Sequence, residues 1–381
     1  MSSEAPRVVV CGAGVIGASI AYHLALRGVA STVVERSEVA CAASGKSGGF
    51  LALDWCDSSP LGPLARASYA MHAELARRID IDYGYRQVTT FGVAARAAGG
   101  IGADNGDAGA AWLDGACTVY ARLGGTDTTA QVHPRRFTRA LMDEAQRLGA
   151  TLVTGCVEGV EVTGAPPSVR GVRVDGAEMP ADAVVIAMGP WTDSACAWLP
   201  LPRVDGLKGF SVTLEPTAPV PAQALFVDYV DAHGERLSPE IFARPDGQVY
   251  LCGLSDDQPL PDDPAGVSVD ADATAMLARI AGHLSSAMGA GRVLKRNACY
   301  RPICADALPI MGQVPGVAGA FVASGHNCWG ILNAPASGAA IAELITAGES
   351  TRVDLRPFTP ARFSAAAASP VGRGATRPLP G

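Results

Sequence analysis

The sequence has no long hydrophobic run. In a chain of 381 residues, no apolar stretch approaches the roughly 20 residues that a membrane-spanning helix needs. Residues 1–6 do not form the basic segment that opens a secretory signal. We therefore expect a cytoplasmic protein with no membrane span.

Positive charge is also scarce. Thirty Lys and Arg against 37 Asp and Glu give a net charge of −7, which argues against nucleic acid as a partner. The ten cysteines form no C-x-x-C pair, and the six histidines form no H-E-x-x-H motif. Neither a disulfide framework nor a metal site therefore has support. With 48% apolar and 18% charged residues, the composition is that of a globular protein. Its length favours two domains, or one domain with a large insertion.

The first informative segment is a glycine-rich turn between a strand and a helix. Residues 7–11 read R-V-V-V-C, a short β-branched run typical of a strand that is buried on both faces. Gly12, Ala13, Gly14, Val15, Ile16 and Gly17 follow at once, and a helix is predicted from residue 18 to 26. A second strand at 31–34 ends in Glu35. This is a G-x-G-x-x-G turn in the context that predicts a dinucleotide site.

The residue type at each key position of this unit has a physical explanation. Gly12 permits the tight turn, Gly14 lets a pyrophosphate approach the backbone, and Gly17 lets the helix pack on the strand. The N–H groups at the start of the helix attract phosphate. The Glu35 carboxylate is placed to accept a hydrogen bond from a ribose 2′-hydroxyl, which argues against NADP and leaves NAD and FAD open.

Further along the chain the pattern predicts more strands. Residues 41–50 are small and flexible and are predicted to form a loop, and residues 86–95 alternate as one strand. We predict a three-stranded meander from residues 151–156, 158–162 and 169–174. The apolar run at 183–187 precedes Gly189 and Trp191, an abrupt change from strand to loop that suits the edge of a cofactor crevice.

A second glycine-containing unit lies near the end of the sequence. Residues 301–312 read R-P-x-x-x-D-x-x-P-I-x-G, and a strand at 320–323 leads into G-H-N-C-W-G-I-L-N-A-P-A-S-G from Gly325. A helix that begins at about Gly330 would place N–H groups beside an electron-rich ring carbonyl.

With these motifs the sequence resembles the D-amino acid oxidase, glycine oxidase and sarcosine oxidase family of flavoproteins. The motifs are V-C-G-A-G-V-I-G-A-S-I-A-Y-H-L, A-V-V-I-A-M-G-P-W and the Gly325 segment, in that order. The resemblance implies FAD, an α/β FAD-binding domain of Rossmann type that is discontinuous in sequence, and an inserted antiparallel β-sheet substrate domain of α+β type. We assign residues 1–85, 133–202 and 300–350 to the FAD-binding domain, 86–132 and 203–299 to the substrate domain, and 365–381 to a disordered tail.

The resemblance also implies a set of cofactor-binding residues. They are the turn residues Gly12, Gly14, Val15, Ile16 and Gly17, then Glu35, Arg36, Ser44, Lys46, Ser47, Gly48, Gly49, Val157, Gly189 and Trp191, and last Gly325, Cys328, Trp329, Gly330, Ile331 and Leu332. Among them, Arg36 lies beside the adenosine and Val157 beside the adenine. The final segment would bind the pyrimidine edge of the flavin ring.

Four residues are candidates for catalysis, and the first of them follows from the resemblance. Arg301 matches the arginine that binds the substrate carboxylate in glycine oxidase relatives, and a structural ion pair is its alternative. Lys46 could supply positive charge for the reduced flavin or dioxygen, or contact the pyrophosphate, or be exposed. His326 could hydrogen-bond near the flavin or satisfy the backbone, and Trp329 could form a pocket wall or join the core.

Two cysteines need separate comment. Cys328 stands where glycine oxidase relatives carry a basic residue, which is a departure from that pattern. Cys299 precedes Asp306 at the spacing at which sarcosine oxidases attach flavin covalently through sulfur. We expect non-covalent FAD, with a small buried side chain at Cys299 and the covalent link as the alternative.

The resemblance implies oxidation of the C–N bond of a small-molecule amine or amino acid. Hydride transfer to the flavin would give an imine, and reoxidation by dioxygen would give hydrogen peroxide, although another electron acceptor is also compatible. The alternatives are oxidation of a 2-hydroxy acid and a non-catalytic flavin-binding protein with a regulatory or trafficking role.

Overall fold

The computed structural model describes residues 5–97 and 105–363 of the chain. The disordered tail predicted at 365–381 lies outside the described residues.

A six-stranded sheet, the first sheet, combines strands from both ends of the chain. Its strands are parallel except for one edge strand, and Val8–Cys11 near its centre is fully buried, as its β-branched sequence predicts. In spatial order the strands are Ile310–Gln313, Ala320–Ser324, Ala183–Ile186, Val8–Cys11, Ser31–Glu35 and Thr151–Thr154.

The predicted meander is wrong in its first strand. Thr151–Thr154 pairs in parallel with Ser31–Glu35 and so forms the edge of the first sheet. The antiparallel meander that does form consists of Val157–Thr163, Ser168–Val174 and Ala177–Pro180. The strand lengths do not reveal this, because Thr151–Thr154 is distant in sequence from its partner and follows directly on the helix Pro134–Arg147.

An eight-stranded sheet, the second sheet, lies across from the first. In spatial order its strands are Arg292–Ile303, Asp205–Glu215, Val249–Asp256, Glu240–Ala243, Gln223–Val230, Thr89–Arg96 and Cys117–Gly124, with Arg236–Leu237 beside Gln223–Val230. The expected antiparallel pairing holds except at one place. Gln223–Val230 runs parallel to Thr89–Arg96, since these two strands come from separate segments of the chain.

The strand predicted at 86–95 divides into two. Arg86–Gln87 joins Thr129–Gln131 and Phe50–Ala52 in a small three-stranded sheet, and only Thr89–Arg96 enters the second sheet. The predicted boundary between 299 and 300 falls inside the strand Arg292–Ile303. The domain division therefore stays a prediction.

Helices cover the faces of both sheets. The α-helices are Val15–Leu26, Ala43–Lys46, Gly62–Arg78, Pro134–Arg147, Ala271–Leu284, Ser286–Gly289 and Gly330–Ala347, and the 3₁₀ helices are Gly189–Ala197, Pro264–Gly266, Asn327–Trp329, Arg356–Phe358 and Pro360–Phe363. The helical turn Ala43–Lys46 corrects the loop predicted at 41–50. Within the described ranges, no helix is both long and apolar enough to cross a bilayer.

The helix Gly330–Ala347 is buried between two other helices. Gly338 permits its close contact with Val15–Leu26, because a Cβ there would lie 2.2 Å from Ser19 Oγ. Pro335 has no N–H, so the carbonyl of Ile331 lacks its usual helical donor. His72 Nε2 lies 3.0 Å from that carbonyl oxygen and replaces the missing donor.

His72 also links stability to pH. Burial lowers its pKa from 6.5 to about 4. Below pH 6.5 the unfolded chain binds a proton that the folded chain does not bind until about pH 4, so the free energy of unfolding falls as the pH falls through this window. The full effect of such a pKa difference is roughly 3 kcal/mol.

We expect His72→Phe, which lacks the N–H donor, to lower the free energy of unfolding by about 1–3 kcal/mol at pH 8. It should also make the decline between pH 6.5 and 4 shallower, with a remaining slope from His23, His133 and His326, whose pKa values burial also lowers. Urea unfolding across this pH range measures both effects. The exposed His233→Phe is the control and should behave as wild type, whereas equal slopes for wild type and His72→Phe would contradict the account.

Candidate active site

A cavity of about 440 Å³ lies between the two sheets. One wall is formed by the residues that follow the carboxyl ends of the first-sheet strands, including Gly12–Ile16, Glu35 and Gly325. The opposite wall is formed by the second sheet and includes Glu240, Cys252 and Arg301. A crevice at the carboxyl ends of parallel strands is the usual place for a dinucleotide in such folds.

The glycine turn has no room for side chains. Gly12 has a φ of +105°, and a Cβ there would lie 2.6 Å from the carbonyl oxygen of Ala187. A Cβ on Gly17 would lie 1.9 Å from the carbonyl oxygen of Gly12. The turn therefore needs glycine at both positions to bring the backbone of the helix start to the cavity.

Two acceptor side chains hold the N–H groups of this turn. Glu35 Oε2 accepts a hydrogen bond of 2.8 Å from the N–H of Ala13, and Ser44 Oγ accepts one of 2.9 Å from the N–H of Val15. Glu35 thus supports the turn as well as lining the cavity. A carboxylate has further lone pairs, so the predicted contact with a ribose hydroxyl is compatible with this role.

The segment Ser44–Gly49 is fixed between the sheets. A Cβ on Gly48 would lie 2.4 Å from the ring of Phe242, so the backbone passes directly against the second sheet. Lys46 Nζ donates to the carbonyl of Ala298 at 3.1 Å, and Lys46 is not among the described residues that line the cavity. Its charge acts on the nearby Cys299, whose pKa burial raises and Lys46 lowers.

In the carboxy-terminal unit, the side chains of His326 and Trp329 make structural contacts. His326 is buried, its Nε2 lies 3.1 Å from Ser337 Oγ, and burial lowers its pKa to about 3. Trp329 packs against the core beneath the first sheet. Both side chains therefore support the position of the helix Gly330–Ala347, and their predicted catalytic roles stay predictions.

The structure brings most of the predicted residues to one cavity. Those that line it are Gly12, Gly14, Val15, Ile16, Glu35, Arg36, Ser44, Ser47, Gly48, Val157, Gly189, Trp191, Arg301, Gly325, His326, Cys328, Gly330 and Ile331. Among the described residues, the predicted positions that do not line it are Gly17, Lys46, Gly49, Trp329 and Leu332.

The cavity residues fit a polar ligand. Ser47 Oγ and Asn327 Oδ1 are buried, line the cavity and have no hydrogen-bond partner among the described residues. Buried polar atoms are normally hydrogen-bonded, so these two atoms indicate that a ligand supplies their partners. Together with the side-chain-free turn, they fit a dinucleotide whose phosphates lie at the helix start.

The second-sheet wall carries a charged side chain, Arg301, and a thiol, Cys299. Arg301 is half-buried on the strand Arg292–Ile303 and interacts with Cys328, whose exposed surface faces the cavity. Burial raises the pKa of Cys328 to about 11, against the lowering effect of Arg301. Cys299 lines the same wall with a raised pKa, and its covalent attachment to a flavin stays the alternative to the predicted non-covalent binding.

Two residues of this wall, Glu240 and Tyr250, line the cavity and were not predicted from the sequence. Glu240 opens the strand Glu240–Ala243, which was not predicted, and its side chain lines the cavity. Burial raises the pKa of its carboxyl, and the charge of Arg301 partly offsets this. The sequence signal for Glu240 is a single acidic residue at the start of the apolar segment E-I-F-A.

One loop lies at the edge of the cavity beside Arg36, at the predicted adenosine end. In this covering loop, residues 257–264, the carbonyl of Pro261 accepts from Trp191 Nε1 at 2.8 Å and the carbonyl of Asp262 accepts from Arg36 Nη1 at 2.6 Å. Pro264, at its end, lines the cavity. The loop leaves the second sheet and is held by residues of the first-sheet half, so it connects the two halves at the edge of the cavity.

We expect Trp191→Phe, which removes the donor to Pro261, to speed FAD release. Loss of one hydrogen bond of roughly 1 kcal/mol corresponds to about a five-fold faster release. Flavin fluorescence after dilution of the loaded protein measures the rate. Trp198→Phe changes a tryptophan that packs in the core outside the cavity and should release FAD at the wild-type rate. Identical rates for wild type and Trp191→Phe would contradict the role of the loop.

Comparison with known proteins agrees with this geometry. The family model described as FAD dependent oxidoreductase matches residues 7–344. A Schizosaccharomyces pombe protein named as an oxidoreductase is 31% identical over 94% of this chain and 98% of its own length. A glycine oxidase from Pseudomonas aeruginosa is 27% identical over 93% of this chain and 98% of its own length.

Solved structures show the same fold. The glycine oxidase from Geobacillus kaustophilus superposes with a TM-score of 0.75 at 25% identity, over 94% of this chain and 99% of that chain. An L-amino acid deaminase from Proteus vulgaris has a TM-score of 0.76 at 16% identity, over 95% of this chain and 98% of that chain. The predicted fold class and the predicted cofactor, FAD, are confirmed. This chain belongs to the family of FAD-dependent oxidoreductases.

Proposed function

We propose that this protein oxidises the C–N bond of an amino acid or a carboxylate-bearing amine to an imine. With dioxygen as electron acceptor the second product is hydrogen peroxide. The observation that carries the proposal is the guanidinium of Arg301 in the second-sheet wall of the cavity, across from the carboxy-terminal glycine segment. The similarity to glycine oxidases supports the same class of substrate.

The residues of the first-sheet wall would hold the cofactor. The Gly12–Gly17 turn and the start of the helix Val15–Leu26 would bind the pyrophosphate, and Glu35 and Arg36 would lie at the adenosine. The start of the helix Gly330–Ala347 would place its positive end at the flavin ring. When bound, FAD accepts a hydride from the carbon next to the substrate nitrogen.

The second-sheet wall would orient the substrate. Arg301 presents a planar donor set that binds a carboxylate with two hydrogen bonds, which fixes both the position and the direction of a small substrate. Cys299, Cys252 and Cys328 surround it with thiols whose pKa values are all raised by burial. These side chains stay neutral at pH 7, so Arg301 keeps its attraction for the substrate anion.

We expect Arg301→Ala to raise the KM for an amino-acid substrate by about 10- to 100-fold, the equivalent of roughly 1.5–3 kcal/mol for a charge-assisted hydrogen bond. An amine without a carboxylate should be oxidised equally well by both proteins. Initial rates with an electron-accepting dye, over a panel of amino acids, N-methyl amines and 2-hydroxy acids, measure this.

Arg296→Ala is the matched control, because Arg296 is exposed on the same strand outside the cavity. Its kinetics should equal those of wild type. An unchanged KM in Arg301→Ala for an identified amino-acid substrate would overturn the role of Arg301. Turnover of 2-hydroxy acids alone in the panel would overturn the proposed reaction.

A further inference from the structure

The cavity wall contains an acid that the proposed reaction does not yet use. Glu240 is the first residue of the strand Glu240–Ala243 and lies opposite Cys252 on one neighbouring strand and Phe226 on the other. Its Oε2 accepts a weak hydrogen bond from Cys252 Sγ at 3.7 Å. The carboxylate therefore lies in the cavity wall with only a thiol as its described hydrogen-bond partner.

Glu240 and Arg301 face the same cavity without touching each other. In the described part of the chain, no ion pair within 4.0 Å joins the two side chains, although the charge of Arg301 reaches Glu240. The other titratable groups near them are the thiols of Cys252, Cys299 and Cys328. A separated anion and cation on one wall are the electrostatic complement of a zwitterion.

We propose that Glu240 binds the ammonium group of the substrate and accepts its proton, so that the site selects zwitterionic amino acids over 2-hydroxy acids. This inference rests on the proposed function and names a second substrate-binding group for the same cavity. With Arg301 on the carboxylate and Glu240 on the ammonium, both charges of an α-amino acid are matched. A 2-hydroxy acid has no ammonium group, so the negative charge of Glu240 would stay uncompensated near the carboxylate of the ligand.

The proton transfer prepares the amine for oxidation. An N–H bond of the ammonium breaks, an O–H bond forms on Glu240, and the nitrogen keeps its electron pair. The neutral amine would then have a free electron pair, which it would donate towards the α-carbon when bound FAD takes up the hydride, and the product would be the protonated imine. Burial raises the pKa of Glu240, which makes its carboxylate a better proton acceptor than an exposed one.

Two ligands that cannot be oxidised test the proposal without turnover. 2-Aminoisobutyrate and 2-hydroxyisobutyrate have no hydrogen on the α-carbon and differ only in the ammonium and hydroxyl groups. The FAD-loaded protein is titrated with each ligand, and the change in flavin absorbance measures the affinity. We expect wild type to prefer 2-aminoisobutyrate.

Glu240→Gln should reverse this preference. We expect its affinity for 2-aminoisobutyrate to fall at least ten-fold, because the matching charge is lost. Its affinity for 2-hydroxyisobutyrate should rise several-fold, because a repelling charge is lost. Glu240→Asp should keep the wild-type direction of preference, and Glu235→Gln, on an exposed turn, should keep both wild-type affinities.

A purely structural role for Glu240 would give a different result. The inference would be overturned if Glu240→Gln lowered the affinity for both ligands together, or changed neither affinity. It would also be overturned if wild type bound the two ligands equally, or bound neither. The proposed function is tested separately, since it fails when no amine reduces the FAD of wild type. The ligand preference and the oxidation can thus fail independently.

Discussion

The close approach of backbone segments at the glycine turn is the constraint on which the rest of the structure depends. The strand Val8–Cys11 ends where the backbone of Ala187 comes so near that Gly12 can carry no side chain. The same holds at Gly17, where the first helix turns back over the strand. This proximity places the helix start, the Glu35 carboxylate and the end of the strand Ala183–Ile186 around one cavity, and the second sheet closes it from the other side.

The first half of this cavity could be predicted from the sequence because its residues are close together in the chain. The turn, the acid at Glu35 and the buried strand all lie within residues 7–35, and local patterns define them. The carboxy-terminal segment from Gly325 was also recognisable, since its glycine, strand and helix follow one another directly. The helix Ala271–Leu284 was not predicted, although the Asp270 side chain caps it by accepting from the N–H of Ala273.

The second half could not be predicted in the same way. Which side chains of a strand face the cavity depends on its register with partners far away in the sequence, and a shift of one residue would turn Glu240 to the other face. The wrong position of Thr151–Thr154 has the same origin, since its partner Ser31–Glu35 is about 120 residues distant. The opposite charges of Glu240 and Arg301 face one cavity only because their strands join the same sheet, where Asp205–Glu215 and Val249–Asp256 lie between them.

The central claim is that FAD lies along this cavity, with its flavin ring between the Gly325–Ile331 segment and the charged wall of the second sheet. A crystal structure of the FAD-loaded protein with a bound amino-acid analogue tests it most directly. The account predicts adenosine density beside Glu35 and the covering loop, and analogue density between Arg301 and the flavin ring. A flavin ring located away from Arg301, or an analogue whose carboxylate does not contact its guanidinium, would contradict it.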